Sequence, residues 1–213
     1  MSYLLLHSDT ILRLFLEHLW VSAAAIGISL LIALPLAWFL FDHPKFSGLV
    51  LGFLGILYTI PSIALIVLLV PMFGLNKTSV FVALVIYCQV LLVRNILAGL
   101  ESISPSIREA AVGLGMRRWE LAVKVELPLA LPVILAGVRI AAVVAISIAS
   151  IGAKFGAGGL GVLLFEGIGQ YRMDKLWIGT FFIALLALGL YWGLKQLEDH
   201  FAERVSTAGQ PLA

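Results

Sequence analysis

The amino-acid sequence predicts an all-α membrane protein with about five transmembrane helices. Of its 213 residues, 62% are hydrophobic and only 12% are charged, and the mean hydropathy is +1.09. Soluble domains are about half apolar and about a quarter charged. Because this apolar excess is too large for one buried core, lipid is the expected surroundings of much of the chain. The formal net charge of +2 is too small to indicate a nucleic-acid partner.

Five apolar runs approach or exceed the length of about 20 residues that a membrane-crossing helix needs. They lie at 20–41, 46–76, 78–93, 127–153 and 176–194. Pro61 and Pro71 interrupt the second run, and Arg139 interrupts the fourth. Backbone groups in lipid must be hydrogen-bonded within their own segment, so each run predicts a helix.

The first 19 residues differ from these runs. Apolar residues recur there at helical spacing, but Arg13, Glu17 and His18 interrupt them. This pattern predicts an N-terminal interfacial segment, 1–19, that lies on the membrane surface and leads into the first span. A sixth span at this place is the alternative. The transmembrane domain is then 20–205, and 206–213 are expected to form a flexible tail.

The basic residues near the predicted helix ends indicate the orientation. One side holds Lys45, Arg108, Arg117, Arg118, Lys124, Lys195 and Arg204, and the other holds Arg13, Lys77, Lys154, Arg172 and Lys175. Cytoplasmic loops carry an excess of Lys and Arg. The bias therefore predicts that the long 99–128 loop and the C-terminus are cytoplasmic and that the N-terminus is outside.

The 99–128 loop carries signals for short helices. Ser104 followed by Pro105 is typical of an N-cap and a first helical position, and Ser106 with Glu109 also fits a capping box. Gly113 and Gly115 then predict the helix end, since glycine is frequent just past a helix C-terminus. A second short helix is expected over 117–125, stopped by Pro128.

Such an element can enter a groove on another protein. Ala110 and Ala111 allow close backbone approach, while Arg108 and Glu109 can make polar contacts at the rim of the groove. The alternative is a solvated loop that merely joins two spans.

The loop resembles the cytoplasmic loop of permease subunits in bacterial binding-protein-dependent ABC importers, written E-A-A-x3-G-x9-I-x-L-P. The matching residues are Glu109, Ala110, Ala111, Gly115, Val125, Leu127 and Pro128, with Val in place of Ile. The resemblance implies a type I importer permease in the bacterial cytoplasmic (inner) membrane, whose loop helix seats in a cleft of a separate ATPase subunit. The coupling residues are then Arg108, Glu109, Ala110, Ala111, Gly113, Gly115, Leu127 and Pro128. Further implied partners are an extracytoplasmic binding protein and a second permease copy or paralogue, with ATP and Mg²⁺ bound by the ATPase.

Other stretches resemble the osmoprotectant branch of that family. They are 58–64, 94–95, 127–139 and 156–161. This resemblance implies a quaternary ammonium solute such as glycine betaine, choline or carnitine. Small methionine-type permeases share the length, the number of spans and the glycine-rich stretch, so methionine or another small solute is the alternative.

Two further segments are candidate gate or pathway residues. Pro61 and Ser62 stand where a proline would break a span, and transporters use such breaks near binding sites. Gly156, Gly158, Gly159 and Gly161 form a glycine-rich stretch at the predicted outer side. Although it spells G-x-G-x-x-G, it follows a membrane span rather than a strand, so it predicts a hinge or a close-packed turn and not a nucleotide site.

The sequence also weighs against other classes of protein. It holds no G-x-x-x-x-G-K-[ST], so any ATPase must be another chain, and this chain is expected to be non-catalytic and without a cofactor. A secondary transporter would need a coupling-ion site, yet no acidic residue falls inside a predicted span. An intramembrane enzyme is disfavoured because no G-x-S-x-G occurs, and the four scattered histidines predict no metal site.

Arg139 and Arg94 allow two interpretations. Each can extend to the cytoplasmic headgroups, since long basic side chains snorkel to the interface. Alternatively, Arg139 contacts the loop acids Glu101 or Glu109 and ties the gate to the loop.

Overall fold

The structure, a computed structural model, describes the backbone of residues 7–208 and the side chains of 7–204. All regular structure in this part is helical, which confirms the predicted all-α class. The helices are α1 (Ser8–Asp42), α2 (Pro44–Thr59), α3 (Ser62–Phe73), α4 (Lys77–Glu101), α5 (Pro105–Gly113), α6 (Arg118–Leu121), α7 (Leu127–Gly152), α8 (Gly161–Gly169) and α9 (Met173–Ala208). A π-helical turn, Ala122–Glu126, joins α6 to α7, and a 3₁₀ turn, Ala153–Phe155, follows α7. Residues 206–208 of the predicted flexible tail continue α9, and 209–213 lie outside the described residues.

The predicted interfacial segment is not a separate helix. α1 runs without a break through the expected boundary at Trp20 and has 35 residues, about 52 Å at 1.5 Å per residue. Because the hydrocarbon core is about 30 Å thick, part of α1 extends beyond it. A buried stripe along its whole length includes Ile11 and Leu14, which explains why the helix continues.

The second predicted span is two helices rather than one. α2 and α3 meet at an angle of 96° around Ile60 and Pro61. Proline has no backbone N–H and forces the residue before it into an extended conformation, and Ile60 has ψ 126°. The sequence predicted a proline break in this run, and the structure shows that the break at Pro61 is a sharp bend between two helices.

Two ion pairs show how the chain passes through the bundle. Asp42 at the end of α1 contacts Arg118 in the 99–128 loop, and Lys77 at the start of α4 contacts Glu17 in the first part of α1. We call these ends the loop end (the end with residues 102–117) and the far end (the end with residues 153–172). Since the chain goes from the loop end to the far end between Asp42 and Lys77, α2 and α3 together count as one crossing. With α1, α4, α7 and α9, which are all long and apolar enough to span, the bundle has the five predicted crossings.

α4 lies at the centre of the bundle and α9 at its edge. In the most apolar 18-residue window of each helix, 61% of the residues are buried in α4 but only 11% in α9. Small residues allow close contact between α4 and its neighbours. A methyl group at Gly137 of α7 would lie 2.4 Å from Cβ of Asn95 in α4.

The end of the 99–128 loop differs from the prediction. Pro128 does not stop a helix; it stands in the first turn of α7, and the chain is helical from Arg118 to Phe155. In the π-helical turn, the Leu127 N–H bonds to the Ala122 carbonyl, five residues back. This wider turn accommodates a proline that cannot donate a backbone hydrogen bond.

We expect Gly137→Ala to destabilise the bundle because the added methyl group overlaps Asn95. Overpacking of this kind costs about 1–3 kcal/mol, which a thermal-unfolding series on the detergent-solubilised protein would detect. Gly189→Ala is the matched control, since a methyl group there meets no described atom within 4 Å outside its own neighbourhood. Equal stability of the two variants would contradict the close packing of α4 and α7.

Candidate functional site

The helix of the 99–128 loop begins and ends where the sequence indicates. Ser104 is the N-cap and Pro105 is the first residue of α5. At its end, Gly115 N–H donates to the Val112 carbonyl at 2.9 Å, and Met116 N–H donates to the Ala111 carbonyl at 3.2 Å. This pair of bonds is a Schellman motif, and Gly115 has the positive φ of +82° that the motif requires.

The predicted capping box is not formed. The Ser106 hydroxyl lies 2.7 Å from the Ser104 hydroxyl, and no side chain caps the start of α5. The Ser104–Pro105 pair therefore marks the helix start without a reciprocal Glu109 bond.

The two faces of α5 differ in what they present. Glu109 and Ala110 are exposed, and so are Ile107, Val112 and Leu114, whose exposed fractions are 42%, 58% and 80%. Ala111 is buried and Arg108 is half-buried. Arg108 thus does not stand at an outer rim, as the sequence suggested, but turns towards the bundle.

Arg108 binds at the junction of α4 and α7. Its Nε donates to Glu126 Oε1 at 3.0 Å, one terminal nitrogen donates to the Ile103 carbonyl at 2.8 Å, and the other donates to the Leu100 carbonyl at the end of α4. The guanidinium also lies over the ring of Phe41, 4.6 Å from its centroid. Arg108 therefore fixes α5 to the loop end of three spans.

Glu126 is the centre of this network and has 0% exposure. Besides Arg108, its carboxylate accepts from Arg118 at 2.8 Å and from the Trp38 indole at 3.0 Å. Arg118 also contacts Asp42 at 2.5 Å. We call Trp38, Asp42, Arg108, Arg118 and Glu126 the loop-end cluster. The sequence interpretation missed it, although an acid between Val125 and Leu127 at the start of an apolar run was a signal for a buried charge that needs cations.

The remaining coupling candidates lie beside this cluster. Leu127 is half-buried and Pro128 is exposed. Gly113 is the last residue of α5, and a methyl group there would meet no described atom within 4 Å outside its own neighbourhood. The structure thus brings all eight predicted coupling residues to the loop end.

The glycine-rich stretch forms a close-packed turn at the far end. Gly156, Gly158 and Gly159 have φ of +83°, +75° and +75°. Gly159 N–H donates to Glu17 Oε2 at 3.2 Å. At Gly161 a methyl group would lie 2.0 Å from a backbone carbonyl oxygen, so only glycine fits. The turn packs tightly against the first part of α1.

Pro61 and Ser62 lie elsewhere, at the bend between α2 and α3. The Tyr87 hydroxyl of α4 donates to the Ile60 carbonyl that the break frees. The rings of Tyr58 and Tyr87 are 5.5 Å apart. The bend therefore contacts the middle of α4, whereas the glycine turn contacts α1 and the start of α4.

Arg139 has a partner that neither interpretation named. Its Nε donates to Glu198 of α9 at 2.9 Å, with side-chain exposures of 16% and 17%, and the guanidinium lies 4.8 Å from the Tyr191 ring centroid. It contacts Glu198 rather than Glu101 or Glu109, because α9 offers an acid beside it. Arg94 is exposed and lies beside Gly55 of α2.

Five apolar crossings with a separate helix presented at one end define a polytopic membrane protein built to engage a partner outside the lipid. The chain belongs to the family of binding-protein-dependent transport system inner membrane components, whose family model matches residues 16–206. It is thus a transport permease subunit of an inner membrane.

Curated relatives and solved structures agree with this family. The chain is 39% identical over 201 residues to the osmoprotectant import permease protein OsmW of Salmonella typhimurium, covering 92% of this chain and 94% of that one. It is 34% identical over 182 residues to the carnitine transport permease protein OpuCB of Listeria monocytogenes, covering 85% and 84%. A solved structure of the MetNI methionine ABC transporter matches with a TM-score of 0.83 at 20% identity, covering 92% of this chain and 97% of that one. The last likeness shows the type I importer fold.

We expect Glu198→Ala to lower the thermal stability of the solubilised protein, because it leaves Arg139 without its anion between α7 and α9. The loss should be about 1–3 kcal/mol, the usual cost of an unsatisfied buried polar group. The exchange Arg139→Glu with Glu198→Arg should recover part of it. The observed pair would be contradicted if the double variant Arg139→Glu/Glu101→Arg recovered thermal stability and Arg139→Glu/Glu198→Arg did not.

Proposed function

We propose that this chain forms the translocation path for a quaternary ammonium osmoprotectant and couples it to a separate ATPase subunit. The observation that carries the coupling is α5, a short helix outside the spans whose outer face is apolar and whose inner face is tied to the bundle. The relatives named for osmoprotectant import and carnitine transport support the solute class.

The outer face of the loop supports docking to a protein. Val112, Leu114 and Trp119 are 58%, 80% and 59% exposed, although they stand outside the bundle core. Large exposed apolar side chains that cluster in one place mark interaction sites. Ala110 is exposed four residues before Leu114, on the same side of α5, and keeps the helix backbone accessible to a close-fitting cleft. The docking interpretation accounts for these side chains, whereas a plain connecting loop does not.

The action of the chain is mechanical. When the ATPase subunits close on ATP, α5 moves with the cleft that holds it, and the spans rock to open the path on one side. Both states must lie close in free energy for ATP to switch them. ATP and Mg²⁺ are held by the partner, since this sequence lacks a P-loop. An extracytoplasmic binding protein and a second permease copy or paralogue complete the assembly.

The loop end faces the cytoplasm in this proposal, and the far end faces outward. The basic residues favour this orientation, because Arg108, Arg117, Arg118 and Lys124 all lie at or next to the loop. The described chain then begins outside and ends inside.

ATP-dependent uptake tests the proposal. Proteoliposomes holding the chain with its ATPase and binding protein should accumulate radiolabelled glycine betaine, choline or carnitine only with internal ATP. Gly115→Pro should abolish uptake, because proline fixes φ near −65° where the structure has +82°. Gly169→Ala is the control and should transport normally, because Gly169 ends a short helix outside the 99–128 loop and a methyl group there would meet no described atom within 4 Å outside its own neighbourhood.

Two other outcomes distinguish the claim about the solute from the claim about coupling to ATP. Uptake of methionine alone would keep the mechanism and change the solute. Uptake that needs no ATP and survives Gly115→Pro would refute the coupling role of α5.

Cysteine labelling tests the orientation. The native Cys88 is fully buried, so it gives a low background. Tyr171→Cys at the far end and Leu114→Cys at the loop end replace side chains that are 93% and 80% exposed. In right-side-out vesicles, a membrane-impermeant maleimide should label Tyr171→Cys at once and Leu114→Cys only after permeabilisation. The reverse order would invert the assigned orientation.

A further inference from the structure

The loop-end cluster holds a charge that the bundle must compensate. Glu126 has 0% exposure, and an isolated carboxylate buried in this way would be strongly unfavourable. Here Arg108 binds one of its oxygens and Arg118 binds the other. Together with Asp42 the cluster carries two positive and two negative charges, so its net charge is zero.

The partners of Glu126 come from separate parts of the chain. Trp38 and Asp42 belong to the end of α1, Arg108 belongs to α5, and Arg118 opens α6. Glu126 itself immediately precedes α7. Arg108 adds two bonds to the backbone at the end of α4. The loop ends of α1, α4 and α7 are therefore bound to α5 through one network.

We propose that Glu126 is a positioning residue that transmits the movement of α5 to the loop ends of α1 and α7. The inference deepens the proposed function and rests on it for the identity of the moving partner. Charged hydrogen bonds to a buried carboxylate are short and have defined geometry. An apolar contact lets neighbouring surfaces slide, whereas this network makes α5 and the ends of α1, α4 and α7 move together.

A second ion pair in the same loop serves as the control. Glu120 lies six positions before Glu126 and contacts Lys124 at 3.0 Å. Both of its partners, Lys124 and the Arg117 N–H, lie within the loop. Glu120→Gln therefore removes the same charge from the same loop without touching α1 or α5.

The first measurement is a distance and needs no transport. Spin labels at His43→Cys, beside the end of α1, and at Leu114→Cys, beside the end of α5, report their separation in a Cys88→Ala background. In the solubilised permease without the ATPase, so that the label at Leu114 does not disturb docking, we expect Glu126→Gln to broaden the distance distribution, because it leaves one positive charge in excess and weakens the link. Glu120→Gln should keep the parent distribution.

The second measurement is the number of solute molecules transported per ATP hydrolysed, with glycine betaine-loaded binding protein. Glu126→Gln should lower this ratio roughly tenfold, within the usual range of coupling between sites, while the complex still assembles and hydrolyses ATP. A merely destabilised permease would lose yield but keep the ratio. The double variant Glu126→Gln/Arg118→Gln restores the charge balance of the cluster. Its transport ratio should therefore fall by less than the product of the two single-variant fold-changes.

The outcomes are separable from those of the proposed function. If Glu126→Gln leaves both the distance distribution and the ratio unchanged, the positioning role is refuted even though the parent transports. If the parent itself shows no ATP-dependent uptake, the proposed function fails and the distance measurement still decides whether Glu126 holds α5. If the Glu126→Gln variant does not assemble, Arg118→Gln replaces it. We then expect a smaller broadening of the distance distribution, and an unchanged distribution would refute the proposal.

Discussion

The charge of Glu126 constrains the whole loop end of the bundle. A carboxylate without exposed surface requires cations and donors on every side, and these come from α1, α5 and α6. The short helix is consequently not an appendage on a flexible connection. Its inner face belongs to the packed structure, and its outer face remains free for a partner. This division between Arg108 on one face and Leu114 on the other suits the coupling role that we propose for α5.

The two ends of the bundle are stabilised in different ways. At the loop end, ions and an indole bind one another across several helices. At the far end, glycines with positive φ let the chain fold tightly against α1, where Gly159 contacts Glu17. Between them, the bend at Pro61 leaves the Ile60 carbonyl in the middle of a crossing, and the Tyr87 hydroxyl donates to it. Irregular backbone at such a depth is tolerated only where the protein itself supplies the missing partner.

The sequence predicted those features, such as helix ends, that depend only on residues close together in the chain. Ser104, Pro105 and Gly115 fixed the bounds of α5, since caps and left-handed positions act within one turn. Prolines were less informative: Pro61 breaks a span, Pro71 sits inside α3, and Pro128 opens α7. The effect of each depends on which donors and acceptors lie nearby in three dimensions. Ion partners such as Glu198 for Arg139 lie 59 positions apart, so spacing alone could not find them.

The π-helical turn before α7 has a consequence for how the chain tolerates changes in length. Successive residues of an α-helix are about 100° apart around its axis, and the turn over 122–126 accommodates one residue beyond the regular repeat. α6 and α7 are thereby out of phase, so Arg118 can reach Asp42 while Glu126 faces inward. Removing any one residue from this turn would rotate α6 about α7 and separate that pair. The length of the 122–126 turn is therefore more strongly constrained than the identity of its exposed residues, such as Val123.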